Sequence, residues 1–396
     1  MPPSTAPTFT VDSVARIYKG AFSTAATVQL LLKGRESFQT IFDAVGKAEK
    51  FVCLEFYIYR NDETGTQLAE ILKQKSREGV RVYLLYDHFG SLGTPRKFWQ
   101  DLRAAGVKIC ASRPFKWAAP FHYVHRNHTK LIVIDAERAF TGGLNIANEY
   151  SGFHLRIKGM GWRDTGILLE GPVAYKLAEI FSKTWNTWSK ERIRLPYGGT
   201  KHALDLFCAP TGACPLPVMP IFVTSARGRR KLRRVLYYSI NHAQKSILLT
   251  TAYFTPSWRM VETLENAVNR GVAVKLLVPG VSDVPAASYA GRAFFSRLLR
   301  AGVEIHTYNG QILHAKTFIF DGCWSIVGST NLDFQSFRYN DEGNVGILHE
   351  GFAEQMKDIF EEDLRNATRI TLDEWRRRPM SDKLKEHFFS LFRRRL

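Results

Sequence analysis

The apolar positions of this chain come in short unbroken runs rather than in alternation with polar ones. Residues 48–59, AEKFVCLEFYIY, and residues 77–87, REGVRVYLLYD, are examples, each an aliphatic and aromatic stretch behind a charged flank. A strand wetted on one face alternates; a strand covered on both faces reads as a continuous run. Helical segments separate these runs, so the pattern predicts an α/β fold with a mixed sheet flanked by helices.

The pattern then recurs. Residues 243–254, AQKSILLTTAYF, answer residues 48–59, and 269–280, NRGVAVKLLVPG, answer 77–87. LRAAGVKI from Leu102 is echoed by LRAGVEI from Leu299. Each copy reads as helix, buried strand, helix, glycine turn, buried strand, helix and a final strand pair. A period of about 190 residues is far too long for a solenoid and indicates a duplicated domain. The first unit is expected over residues 1–195 and the second over 221–370. Residues 196–220, rich in proline and glycine, read as a linker of irregular structure. Residues 371–396 read as a basic helical tail.

Chemistry enters at the final strand pair of each copy. His128, Lys130, Asp135, Gly142 and Asn145 recur with identical spacing as His314, Lys316, Asp321, Gly328 and Asn331. Side chains two apart on a strand share a face, so each histidine points the same way as its lysine. Each aspartate lies an odd number of residues away and points elsewhere, so Asp135 and Asp321 belong to the motif but are expected to satisfy backbone donors or a cation at the strand end. A turn at Ala136-Glu137 or Gly322-Cys323 follows, Asp-Gly at 321–322 being a strong hairpin signal. Folding there brings Asn145 opposite His128 and Asn331 opposite His314. Lysine supplies charge and asparagine a neutral donor, a pairing suited to a phosphate oxygen. Two such half-sites facing each other make one phosphodiester site with two histidines. One would attack phosphorus in line to give a phosphohistidine; the other would protonate the leaving alcohol and deprotonate the incoming one. Lys130, Lys316, Asn145, Asn331 and Ser329 would hold the charge that shifts onto oxygen. This scheme calls for no metal and no cofactor.

The formal charge of +18 over 396 residues favours an anionic partner, a membrane surface or nucleic acid, or serves solubility alone. Five scattered cysteines form no CxxC pair, which indicates a reducing compartment without a disulfide framework or zinc site. No run approaches the ~18 apolar residues of a transmembrane helix, and the N-terminus lacks a signal-peptide core. Contact with a membrane would therefore be peripheral. Two basic stretches stand out: ARGRRKLRR at residues 226–234, and the tail DKLKEHFFSLFRRRL at 382–396, whose phenylalanines and arginines suit an anionic lipid surface.

The paired motifs closely resemble those of the phospholipase D superfamily over nearly the whole chain. GGLNIANEY at 142–150, WRDTGILLEGP at 162–172, and GSTNLD with NDEGNVGI after the second motif look like cardiolipin synthases without transmembrane helices. The resemblance implies two phospholipase D-like domains with the active site at their interface. It implies a phosphatidyltransferase that joins two phosphatidylglycerols into cardiolipin and glycerol. A lipid hydrolase of the same type and a metal-independent nuclease are the alternatives, nucleic acid being the less favoured partner because all the motif residues lie in one chain. It further implies that Asp164 and Glu342 hydrogen-bond the ring nitrogens of His128 and His314, with His128 as nucleophile and His314 as acid/base; the residues alone leave that last symmetry unbroken. Gly143 stands where the superfamily usually has serine, leaving that half one hydroxyl short. The implied location is the cytoplasmic face of the cell membrane. No feature specifies an oligomeric state.

Overall fold

The computed structural model describes residues 8–115, 125–153, 161–194 and 215–392. Two mixed sheets carry the chain. The first has seven strands in the order Thr27–Leu31, Gly166–Glu170, Arg138–Gly142, Leu131–Ile134, Phe51–Phe56, Arg81–Asp87 and Lys108–Ser112. The second repeats it as Leu216–Val223, Glu342–Leu348, Trp324–Gly328, Thr317–Phe320, Ser246–Thr250, Ala273–Pro279 and Glu304–Tyr308. It then adds an edge strand at each side, Ser23–Ala25 on Leu216–Val223 and Ala367–Ile370 on Glu304–Tyr308. Parallel pairing joins the unbroken runs, for instance Phe51 beside Arg81 and Ser246 beside Ala273.

Two boundaries differ from the sequence expectation. Residues 195–214, most of the expected linker, lie outside the described residues, but its last five residues already belong to the strand Leu216–Val223. That strand occupies in the second sheet the edge that Thr27–Leu31 occupies in the first. The first residues of the chain, assigned by sequence to the first unit, serve the second. Helix Val11–Tyr18 buries Val14 and Tyr18 against Leu232 and Leu236, and Ser23–Ala25 pairs with Leu216–Val223. Which sheet edge a short segment joins is a long-range choice that its own composition does not encode.

Apolar side chains form three layers, one outside each sheet and one between them. Helix Pro172–Trp188 drives Val173, Leu177, Phe181 and Trp185 into the middle layer, and Glu350–Arg365 adds Phe352, Met356 and Phe360. Each side chain buried at this helical spacing contributes about 1.5–3 kcal/mol. The middle layer mixes residues of both sheets, Leu131 and Val133 with Leu248 and Val327, which fixes the halves against each other.

The motif hairpins turn on a left-handed pair, Asp135-Ala136 (φ 55° and 60°) and Asp321-Gly322 (φ 52° and 66°). Each aspartate is therefore inside the turn, one residue earlier than expected, and its carboxylate reaches sideways to the neighbouring strand. Asp135 accepts the backbone N–H groups of Glu49, Lys50 and Phe51 at 2.7–2.8 Å. Asp321 accepts those of Gln244, Lys245 and Ser246 at 2.7–3.1 Å. Both tie a hairpin tip to the start of the neighbouring strand, which pairs antiparallel with the hairpin.

Candidate active site

The segment leading into each motif crosses onto the opposite half. The N–H of His128 donates to the carbonyl of Asp341 at 2.9 Å, and that of His314 to the carbonyl of Arg163 at 2.7 Å. In return the N–H groups of Asp341 and Arg163 donate to the carbonyls of Arg126 and Ile312. These bridges set the next residue of each strand, Glu342 or Asp164, beside the other half's histidine. His128 Nδ1 lies 3.1 Å from Glu342 Oε2, and His314 Nδ1 lies 2.7 Å from Asp164 Oδ2. The pairing is crossed with respect to chain order, in which Asp164 was expected on His128 and Glu342 on His314. Neither half completes a site by itself.

With Nδ1 turned to a carboxylate, Nε2 is the nitrogen through which each ring can act. Both rings open onto one cavity of about 550 Å³, which Asn145 and Asn331 also line. Each asparagine is anchored through Oδ1, Asn145 by the N–H of Ile58 at 3.1 Å and Asn331 by that of Tyr253 at 3.2 Å. The amide nitrogen of Asn145 donates further to the hydroxyl of Tyr150 at 2.8 Å. The lysines are buried beneath the rings. Lys130 Nζ donates to the His128 carbonyl at 2.8 Å, and Lys316 Nζ sits 2.8 Å from His314 Nδ1 and donates to the His314 carbonyl. Lys316 and Asp164 thus meet at one ring nitrogen, which can serve only one of them at a time.

Ser329, expected on the substrate phosphate, is committed elsewhere. Its hydroxyl donates to Glu342 Oε2 and accepts the N–H of Gly343 at 3.0 Å, fully buried beneath the cavity floor. Gly143, its counterpart, has a different reason to be small. A Cβ there would stand 1.9 Å from Asp164 Oδ1, so the carboxylate of the His314 pair fills the space a serine would need.

Burial governs the electrostatics. It holds the His128 ring well below its ordinary value, with Lys130 and Lys316 adding to the effect. Burial, seconded by Lys316, brings His314 down to about 4 against the pull of Asp164. Lys316 is lowered by burial to about 8, and Lys130 is lowered well below its ordinary value. Burial pushes Glu342 up to about 7. It pushes Asp164 the same way, but Lys316 and His314 together outweigh it and hold this carboxyl below its ordinary value. Two equivalent carboxylates therefore differ in charge state near neutrality.

Sequence reasoning missed the aromatic walls. Tyr57 meets His128 edge-on at 5.1 Å between centroids; Tyr150 and Trp162 both stand 5.3 Å from His314. Tyr253 lies across from His314 and donates its hydroxyl to Asp283 at 2.7 Å. The signal was present, since Tyr57 and Tyr253 sit in the repeated runs and Tyr150 and Trp162 border the motif segments. The basic stretch 226–234 is partly structural: Arg229 is buried and, with Arg113, pairs with the Asp341 carboxylate. His125 stands edge-on to Tyr339 at 5.3 Å rather than at the motif rings.

The chain matches the protein family described as "Cardiolipin synthase, PLD-like domain" over residues 41–185 and again over 236–364. It is 33% identical over 385 residues to the cardiolipin synthase of Geobacillus kaustophilus (strain HTA426), covering 94% of this chain and 72% of that protein. To the major cardiolipin synthase ClsA of Bacillus subtilis (strain 168) it is 32% identical over 368 residues, 92% of this chain and 74% of the relative. Its fold is similar to the crystal structure of phosphatidylserine synthase from Haemophilus influenzae Rd KW20, at a TM-score of 0.74 and 14% identity, covering 98% of this chain and all of that one.

Proposed function

The chain belongs to the cardiolipin synthase family with phospholipase D-like domains, and from that premise and the crossed half-sites we infer that it transfers a phosphatidyl group from one phosphatidylglycerol to another. The observation that carries this reading is the pair of histidines on one cavity, each backed by a carboxylate from the opposite half.

His128 Nε2 attacks phosphorus in line and the bond to the glycerol headgroup breaks. The departing oxygen takes a proton from His314. The terminal hydroxyl of a second phosphatidylglycerol then gives its proton to His314 and attacks phosphorus, and the bond to His128 breaks. Cardiolipin and glycerol are the products. The two carboxylates support this division. Before substrate enters, burial and Lys316 keep the His314 ring down at about 4, so it gains its proton only as the anionic phosphodiester arrives. Asp164, held ionised, then gives that imidazolium a counter-charge at 2.7 Å. His128, held neutral by burial and by the two lysines, keeps the lone pair that a nucleophile needs. Asn145 and Asn331 face the phosphate oxygens, and the buried lysines supply positive potential from beneath rather than direct contact. The substrates are bilayer lipids met at the cytoplasmic face of the membrane; among the described residues no helix is long and apolar enough to cross one.

Pure protein incubated with phosphatidylglycerol liposomes should yield cardiolipin and free glycerol in equal amounts by mass spectrometry. Phosphatidic acid as the main product would make water the acceptor and the protein a hydrolase. Untouched lipid with single-stranded DNA cleaved would replace both readings.

A further inference from the structure

The last described helix, Met380–Leu391, is docked the wrong way round for a helix bathed only in water. An amphipathic helix on a soluble protein turns its apolar stripe inward. Here the inward face is charged. Glu386 is buried between Arg378, at 2.7 Å, and Arg292, at 3.2 Å, while Asp382 pairs with Arg292 at 3.2 Å. Phe389 stacks on Tyr289 of helix Pro285–Arg292 and completes the seam. Met380, Leu384, Phe388 and Leu391, with Phe392 just beyond, lie in one sector of roughly 120° on the outward side. They are 44–66% exposed. Ion pairs with a directional seam hold this orientation, so the apolar stripe is presented outward by construction.

The flanks of that stripe carry cations. At about 100° per residue, Lys383 and His387 border it on one side and Lys385 on the other, and Arg393, Arg394 and Arg395 follow in the sequence. An apolar sector between basic edges matches an anionic bilayer, with chains for the stripe and phosphates for the edges. The same helix seam leads to the active site. Helix Pro285–Arg292, on which the tail helix rests, begins directly after a loop whose Val281 and Val284 are 67% and 38% exposed. Between them Asp283 accepts the Tyr253 hydroxyl, and Tyr253, Asp283 and Val284 all line the catalytic cavity.

We propose that the outward stripe of Met380–Leu391, together with Val281 and Val284, is the docking surface for an anionic phospholipid bilayer and seats the rim of the cavity on the membrane. The partner's identity rests on the phosphatidyltransferase reading above; the inverted helix does not. Phospholipid headgroups would then reach His128 and His314 without leaving the bilayer, since one short helix connects the docked stripe to the cavity wall.

The test is the double variant Leu384→Glu/Leu391→Glu, at two outward positions that neither pair in the seam nor line the cavity. Co-sedimentation with phosphatidylglycerol vesicles should weaken at least about tenfold, and turnover on those vesicles should fall with it. Wild-type binding should drop with added salt and on phosphatidylcholine vesicles. Turnover of short-chain phosphatidylglycerol, dissolved as monomers, should stay at the wild-type level. Unchanged vesicle binding by the variant overturns the proposal. So does a wild-type dimer in sedimentation velocity that the variant splits while vesicle binding persists, which would make the stripe a self-association face. A wild-type chain inert toward short-chain phosphatidylglycerol would refute the transferase reading, and the vesicle-binding comparison would still decide the docking surface.

Discussion

The hairpin that carries His128 and the one that carries His314 share their turn, their aspartate anchor and their asparagine, and differ in what lies behind the ring. Before His128 comes Asn127, whose amide donates to Glu55 at 2.7 Å and whose N–H donates to Asp87 at 2.8 Å, all three fully buried. Before His314 the equivalent residue is Leu313, buried in the middle apolar layer. Glu342, beside His128, shares its Oε2 with Ser329 and is pushed up to about 7; Asp164, beside His314, packs against Gly143 and is held below its ordinary value. Duplication supplies two rings in equivalent places. Their chemical difference comes from the carboxylate that each receives across the interface.

The strongest way to break that comparison is to remove one ring at a time. His128→Ala should lower kcat/KM by at least ~10⁴-fold and His314→Ala by roughly 10²–10⁴-fold, because a covalent nucleophile has no substitute whereas solvent can partly replace an acid. With lipid labelled in the phosphatidyl group, His314→Ala should still accumulate labelled enzyme, slowly, and His128→Ala none. Label on His128→Ala would exchange the roles.

The carboxylates come next. Asp164→Asn should cost about 10–100-fold, the worth of a charge-assisted hydrogen bond, and Gly143→Ser should match it by displacing Asp164. Glu342→Gln should differ in its pH dependence. Glu342 is ionised only above about 7, so the wild-type rate should rise with pH through that value and the variant should lose the limb. Stability runs the other way. The folded carboxyl titrates near 7 against an ordinary 4.5, so the folded state holds a proton that the unfolded chain releases in between. Folding stability therefore falls as pH rises from about 4.5 to 7 and stays reduced above. Glu342→Gln should be more stable than its parent at pH 8, by up to about 3 kcal/mol, and close to it at pH 4.5. A melting-temperature difference with the opposite pH trend would remove the argument.

The halves were legible as halves because strand runs and motif spacing are local properties that duplication preserves. The two-residue period of extended backbone made it legible that Lys130 lies beside His128 and Lys316 beside His314. Asp135 and Asp321, by contrast, are turned from the rings by the left-handed turn that contains them, not by strand parity. The crossing of Asp164 and Glu342 was not legible. It depends on the backbone bridges from His128 to Asp341 and from His314 to Arg163, which join segments more than 150 residues apart. The partner of Ser329 was not legible for a related reason: its hydroxyl donates to Glu342, which the fold and not the local sequence brings to it. The edge strand Ser23–Ala25 escaped because an edge is chosen by whichever sheet has an open side.

A smaller effect separates anchoring from chemistry. Each motif aspartate holds three backbone N–H groups, so Asp135→Asn and Asp321→Asn should each destabilise by about 1–3 kcal/mol, since an amide presents only one acceptor oxygen. The folded fraction should keep its kcat. A large loss of kcat in either variant, at a temperature where circular dichroism shows it folded, would return these aspartates to the reaction.

The finest test bears on the one hydroxyl that distinguishes the halves. Ser329 donates to Glu342 and so favours the ionised carboxylate, opposing the burial that raises it. Ser329→Ala leaves the cavity lining intact and removes that donor, together with the acceptor of the Gly343 N–H. The carboxyl should then titrate about one pH unit higher, the equivalent of a hydrogen bond worth ~1.4 kcal/mol. At pH 9, where Glu342 stays ionised in both proteins, the variant should be nearly as active as its parent. At pH 7 it should be several-fold slower, and the ascending limb of its rate profile should be displaced upward by that unit. A uniform loss at every pH, with the limb unmoved and KM raised, would instead mean that the Ser329 hydroxyl touches the substrate phosphate. The second half would then regain the extra donor that Gly143 denies the first.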